Sequence, residues 1–130
     1  MPTLPSQFSF ISLRPCVQFH ADGLPSGQQL TCLVDFGTPG YLLLLYWHAI
    51  HKVRIAGYGG NNIITLLDGG SYNVQAVYLD VDWWNYRSSV RTNILHAVRY
   101  GSQIDGHVGL DFFPLRTLTI DCQNRITTVA

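Results

Sequence analysis

The segment with the strongest binding chemistry is Trp83-Trp84-Asn85-Tyr86-Arg87. Trp, Tyr and Arg give a large contact area at a small entropic cost, so they dominate the energetics of binding surfaces. Neighbouring residues of a strand point to opposite faces, so we expect one of the two tryptophans to enter the core and the other to be exposed. The alternative is that both pack, one on each side of the strand. The sequence predicts a contact surface of Trp83, Trp84, Tyr86 and Arg87.

A histidine pair raises the question of a metal site. His48 and His51 lie three residues apart and would share one face of a helix, with Asp22 or His20 supplying a further ligand. The chain lacks a zinc-binding histidine motif and has no carboxylate at a matching interval. We therefore predict structural or surface histidines, no metal and no cofactor.

A cysteine hydrolase would need a different pair of side chains. The segment Gly106–Asp111 resembles the histidine strand of papain-like cysteine hydrolases. The resemblance implies a role for His107 beside a thiol at a helix N-terminus, where the helix dipole favours the thiolate. None of the three cysteines has this setting: Cys16 follows a proline, Cys32 lies within a predicted strand, and Cys122 lies where a predicted strand ends in a turn. We therefore expect free buried thiols.

The charged residues are few and unusual in type. They make up 12% of the chain, and the formal net charge is zero. There is no basic field to attract nucleic acid, so we predict no nucleic-acid partner. Lys52 is the only lysine and glutamate is absent. A surface with so few charges is poorly protected against association, and we expect a homo-oligomer, with a further protein or glycan partner as an alternative.

The composition and the spacing of turns favour strands. Thr, Val, Ile, Tyr, Phe and Trp are abundant, and clusters rich in Gly, Asn and Asp recur along the chain. Strands are expected at Leu30–Phe36 and Tyr72–Asp82, for example, with a turn at Gly57–Asn62. The predicted fold is mainly β, an antiparallel β-sandwich or jelly-roll-like domain that spans residues 1–130.

Two segments could be helical. Tyr86, Val90 and Ile94 recur at helical spacing before Gly101, which predicts one helix over about 86–100. Residues 41–56 follow Thr38-Pro39 and precede Gly57, so they could form a second helix or two buried strands. If both segments are helical, the fold is α+β; if only residues 86–100 are, it is a sandwich with one helix.

The longest apolar run, Tyr41–Trp47, is far shorter than the roughly 20 residues of a membrane-spanning helix. No signal peptide is evident at the N-terminus, so we expect a soluble, cytoplasmic protein with no membrane partner. Nothing in the sequence assembles a nucleophile, a base and an oxyanion site. The predicted function is a non-enzymatic binding or assembly module, which could be a viral accessory or structural protein, and the alternative is a small hydrolase with a Cys/His or metal site.

Overall fold

The computed structural model describes residues 4–35, 43–65, 69–84, 86–96, 103–113 and 116–130. This part of the chain contains ten strands, one α-helix and a short 3-10 helix at Leu110–Phe112. In chain order the elements are β1 Ser6–Ser9, β2 Cys16–Ala21, β3 Leu30–Asp35, β4 Leu43–Tyr46, α1 Trp47–Ile50, β5 Ile55–Thr65, β6 Ser71–Trp83, β7 Tyr86–Leu95, β8 Gly106–Gly109, β9 Leu118–Asp121 and β10 Ile126–Val129.

Six strands close into a barrel. The larger sheet has the order β2-β3-β8-β4-β7-β6-β5, and β2 also pairs with β6. That closing seam joins His20 to Asp82 and Ala21 to Val81, which leaves β5 outside the ring. Within the described residues, β5 pairs with β6 alone. The β3–β8 and β4–β7 pairs are parallel, so the sheet is mixed and not purely antiparallel as predicted.

The smaller sheet covers part of the barrel. It has the order β1-β10-β9, and both of its pairings are antiparallel. Its side chains Phe8, Leu118 and Val129 pack into the same hydrophobic cluster as the barrel strands. Two sheets therefore share one core, and the prediction of a mainly β, sandwich-like fold is confirmed.

Strand alternation fills the barrel with apolar side chains. On β6, Val77, Leu79, Val81 and Trp83 are buried, and the residues between them are more exposed, as expected for a strand with one face turned inward. A second cluster contains Tyr46 and lies on the outer face. The other interior residues include Val17, Phe19, Leu30, Cys32, Val34, Leu43, Leu45, Val90, Ile94, Val108 and Phe112.

The helix predicted over residues 86–100 is wrong where the structure describes this segment. Tyr86–Leu95 is the strand β7, paired with β6 along its length, and residues 97–100 lie outside the described residues. Tyr86, Val90 and Ile94 recur every four residues, which also places them on one face of a strand. Val90 and Ile94 belong to the barrel interior.

The second ambiguous segment contains both kinds of structure. Within residues 41–56, β4 ends at Tyr46, α1 makes a single turn from Trp47 to Ile50, and β5 begins at Ile55. Residues 41 and 42 lie outside the described residues. The predicted second helix is therefore reduced to one turn, and no helix in the described ranges is long and apolar enough to cross a membrane.

Candidate functional site

The two tryptophans of the predicted contact surface are both buried. Trp83 is 4% exposed and Trp84 is 2% exposed, so the expectation that one of them would be exposed is wrong. Both belong to the same hydrophobic cluster, where the Trp83 and Phe112 ring centroids lie 3.8 Å apart. The alternative, in which both tryptophans pack, is confirmed as to burial, but the two rings lie in one cluster and not on opposite sides of the strand.

The backbone at Trp84 explains why both rings reach one core. Trp83 pairs with Tyr86, so β6 and β7 are joined by a two-residue turn. Trp84 has a φ of 37°, a left-handed conformation that is uncommon outside glycine and typical of tight hairpin turns. This turn interrupts the strand alternation, and the Trp84 ring packs 5.4 Å from Phe113 and 6.3 Å from Phe8.

Tyr86 and Arg87 remain partly accessible. Tyr86 is 51% exposed, and its ring stacks on Trp83 at 5.8 Å. The Arg87 guanidinium donates to Asp22 Oδ2 at 2.5 Å and to Asp82 Oδ1 at 3.0 Å, and these hydrogen bonds raise the pKa of Arg87. A partner would have to compete with both carboxylates for this side chain.

The closing seam of the barrel gathers further polar side chains. His20 Nδ1 lies 3.1 Å from Asp82 Oδ2, and His20 Nε2 lies 3.2 Å from the Leu24 carbonyl oxygen. Burial raises the pKa of Asp82, but hydrogen bonds from Arg87 and His20 outweigh it and keep this pKa below its ordinary value. A cavity of about 500 Å³, lined in part by His20, Leu24 and Asp82, opens beside the pair.

These residues are also the ones that could hold a metal. Ligand atoms of His20, Asp22 and Asp82 lie within 4.8 Å of one another, and one imidazole with two carboxylates is a donor set that suits Zn²⁺ or Mn²⁺. Arg87 already supplies a positive charge to both carboxylates. As it stands, the cluster is an ion-pair network in which one guanidinium contacts two carboxylates, and it ties β2 to β6 and β7.

The histidine pair considered from the sequence is not brought together at a shared site. His48 Nε2 lies 3.4 Å from Asp105 Oδ1, a buried carboxylate that also accepts a hydrogen bond from Lys52 at 3.0 Å. His51 is exposed, and its ring lies edge-to-face with Trp47. The two imidazoles therefore have different partners.

The structure does not place a reactive thiol beside His107. Burial raises the pKa of Cys16 and, more strongly, that of Cys32, whereas a nucleophilic thiol needs a lowered pKa. Cys122 is exposed rather than buried as expected. His107 contacts Tyr46 through a hydrogen bond, and its Nδ1 lies 3.5 Å from Asp35 Oδ2.

The two most exposed large apolar side chains of the described residues, Tyr58 and Ile63, lie in and directly after the segment that the sequence predicted as a turn. Gly57–Asn62 lies within β5, and its glycines are used at irregularities in the β5–β6 ladder. Gly60, for example, has a φ of 77°, which favours glycine. On the same strand Ile55 is 43% exposed, Tyr58 is 80% exposed and Ile63 is 71% exposed.

Register places these three side chains on one side of the hairpin. Ile55 pairs with Leu79, Tyr58 with Val77, and Ile63 with Asn73, and cross-strand partners share a face of the sheet. The barrel-lining face of β6 therefore continues past Val77 into solvent. We define the hairpin face as the eight exposed residues on this side: Ile55, Tyr58, Asn61, Ile63, Thr65, Ser71, Asn73 and Gln75.

The sequence did not predict the hairpin face, because the glycines and asparagines of Gly57–Asn62 are typical of a turn. The sequence carries no alternating signal here, because Ile63 and Ile64 are adjacent and identical, yet Ile63 is exposed and Ile64 is buried. No protein-family model matches the chain, and no curated protein matches it.

Proposed function

We propose that the chain is a non-enzymatic binding and assembly module that associates with further copies of itself. The observation that supports this proposal is the exposure of Ile55, Tyr58 and Ile63 on one side of an edge strand. Exposed large apolar side chains grouped on one face of a folded protein mark candidate association sites. The proposed contact surface thus moves from the buried tryptophans to the β5–β6 hairpin.

The neutral, charge-poor composition supports the same proposal. With zero formal net charge, copies of the chain do not repel one another at long range near neutral pH. Hydrophobic association of such a surface is strengthened by salts that are excluded from protein surfaces, such as sulfate. Self-association should therefore increase when sodium sulfate is added.

Size-exclusion chromatography with light scattering tests the proposal. We expect the mass to exceed that of one chain at micromolar concentration and to rise with concentration and with sodium sulfate. A mass of one chain throughout the concentration series, with and without sulfate, would overturn the proposal.

The alternative function, a small hydrolase with a metal site, is favoured by one observation. Potential ligands His20, Asp22 and Asp82 meet, and two of them line a cavity. If this alternative holds, Zn²⁺ raises the melting temperature of the wild type, and the effect disappears in His20→Gln but survives in His51→Gln. An unchanged melting temperature with Zn²⁺ removes the metal-dependent alternative.

A further inference from the structure

The hairpin face carries no Asp, Glu, Lys, Arg or His side chain. Its apolar members are Ile55, Tyr58 and Ile63, and its remaining members are uncharged Asn, Gln, Ser and Thr residues. A charged partner would find no opposite charge to pair with on this surface. A second copy meets the same neutral surface, so no like charges face each other, as a two-fold interface between identical patches requires.

The free edge of β5 is less suited to strand addition. The backbone N–H of Ile63 donates to Asn62 Oδ1 at 3.0 Å. The guanidinium of Arg91 donates to the Gly59 carbonyl at 2.8 Å and to the Asn61 carbonyl at 3.3 Å. These backbone groups are therefore already bonded within the chain, and the irregular ladder near Gly59 disfavours edge pairing.

We infer that a second copy of this chain docks on the hairpin face through side chains, face to face, and not by extending the sheet at β5. This inference rests on the proposed function and specifies its interface. Tyr58 and Ile63 are the central contacts, because they are the most exposed large apolar side chains of the face.

The size of the hairpin face sets the strength of this contact. Residues 55–65 span about 30 Å at about 3.3 Å per residue, and two strands are about 10 Å wide. The resulting area of roughly 300 Å² is below the roughly 800 Å² per partner of a standard stable interface. A face of this size predicts a weak, reversible dimer, and a concentration series measures its dissociation constant.

Sedimentation equilibrium on four full-length proteins tests the interface: the wild type, Tyr58→Ser/Ile63→Ser, Leu13→Ser and Asn62→Ala. Leu13 is 69% exposed, about as much as Ile63, but it lies outside the hairpin. Leu13→Ser therefore removes an equally exposed apolar side chain without changing the hairpin face. We expect the double substitution to weaken dimerisation at least tenfold, and Leu13→Ser and Asn62→Ala to change it less than twofold.

The outcomes separate this inference from the function on which it rests. A monomeric wild type overturns both. A wild-type dimer that persists in Tyr58→Ser/Ile63→Ser overturns the interface and leaves assembly standing. Asn62→Ala releases the Ile63 N–H and also removes the hydrogen bond that Asn62 donates to Asn93. Tighter dimerisation of this variant would indicate strand addition and overturn face-to-face docking. Far-ultraviolet circular dichroism and an unchanged melting temperature establish that each variant is folded.

Discussion

The strand β6 takes part in two hairpins with opposite surroundings. At its C-terminal end the β6–β7 turn lies beneath the three-stranded sheet, where Trp84 is 2% exposed. At its N-terminal end the β5–β6 hairpin extends beyond the barrel, where Ile63 on the partner strand is 71% exposed. Large apolar residues occur in both hairpins, so their exposure is decided by what packs over the strand and not by residue type.

The largest effect should come from removing the ring of Trp84. We expect Trp84→Ala to lower the free energy of unfolding by about 3–5 kcal/mol, because the contacts with Phe8 and Phe113 are replaced by a cavity. Urea denaturation measures this change, and Tyr86→Ala in the same hairpin is the matched exposed control. A loss below about 1 kcal/mol would mean that the smaller sheet does not enclose this turn.

Acid should loosen the buried end of β6 through Asp82. The pKa of this carboxyl is lowered in the folded state, so its stabilising contribution is present above the ordinary aspartate pKa of about 3.9. That contribution is lost as the pH falls through the lower folded pKa. We expect Asp82→Asn to reduce the difference in urea midpoint between pH 5 and pH 3, and Asp80→Asn to leave it unchanged. If the difference in urea midpoint between pH 5 and pH 3 is the same in Asp82→Asn and Asp80→Asn, Asp82 does not cause the loss of stability in acid.

Replacing Arg91 should destabilise the exposed β5–β6 hairpin by a smaller amount. Its guanidinium bonds the carbonyls of Gly59 and Asn61 across β6. We expect Arg91→Ala to cost about 1 kcal/mol and to speed hydrogen exchange in β5 without changing exchange near Trp84. Equal acceleration in both hairpins would show that they do not open independently.

The smallest change in stability is expected at Tyr58, although the residue is aromatic. Tyr58 is 80% exposed, so Tyr58→Ala should alter the unfolding free energy by no more than about 0.5 kcal/mol. Thermal melting measures this change, at a protein concentration low enough that the proposed dimer is dissociated. A loss of several degrees there would place the ring in a packed environment and break the contrast with Trp84.

Much of the strand content could be predicted from the sequence. Alternation located β3, since Leu30–Phe36 was expected and Leu30–Asp35 is found, with residue 36 outside the described residues. The failure at β7 has a physical cause, because apolar residues every four positions satisfy both a helix and one face of a strand. Ser88 and Thr92 occupy the intervening inward positions, and Thr92 is fully buried with its hydroxyl bonded to the Val90 carbonyl.

The candidate site was harder to predict, because it depends on chain reversal and long-range packing. The rule that neighbouring strand residues diverge failed at Trp84, where a left-handed turn directs the ring back to the core. The ion pair between Arg87 and Asp22 joins residues 65 positions apart, which no local pattern reveals. The segment Gly57–Asn62 was also misassigned from local pattern, because glycines occur at irregularities in strand pairing as well as in turns.

The two-pair seam between β2 and β6 has a consequence for how the chain reaches its fold. It joins His20 to Asp82, 62 positions apart, whereas β5, β6 and β7 follow one another along the chain. Closing a long loop for only two residue pairs is entropically unfavourable, so we expect the meander of β5, β6 and β7 to form before this seam. Substitutions at the seam should therefore accelerate unfolding and leave the refolding rate nearly unchanged in stopped-flow measurements.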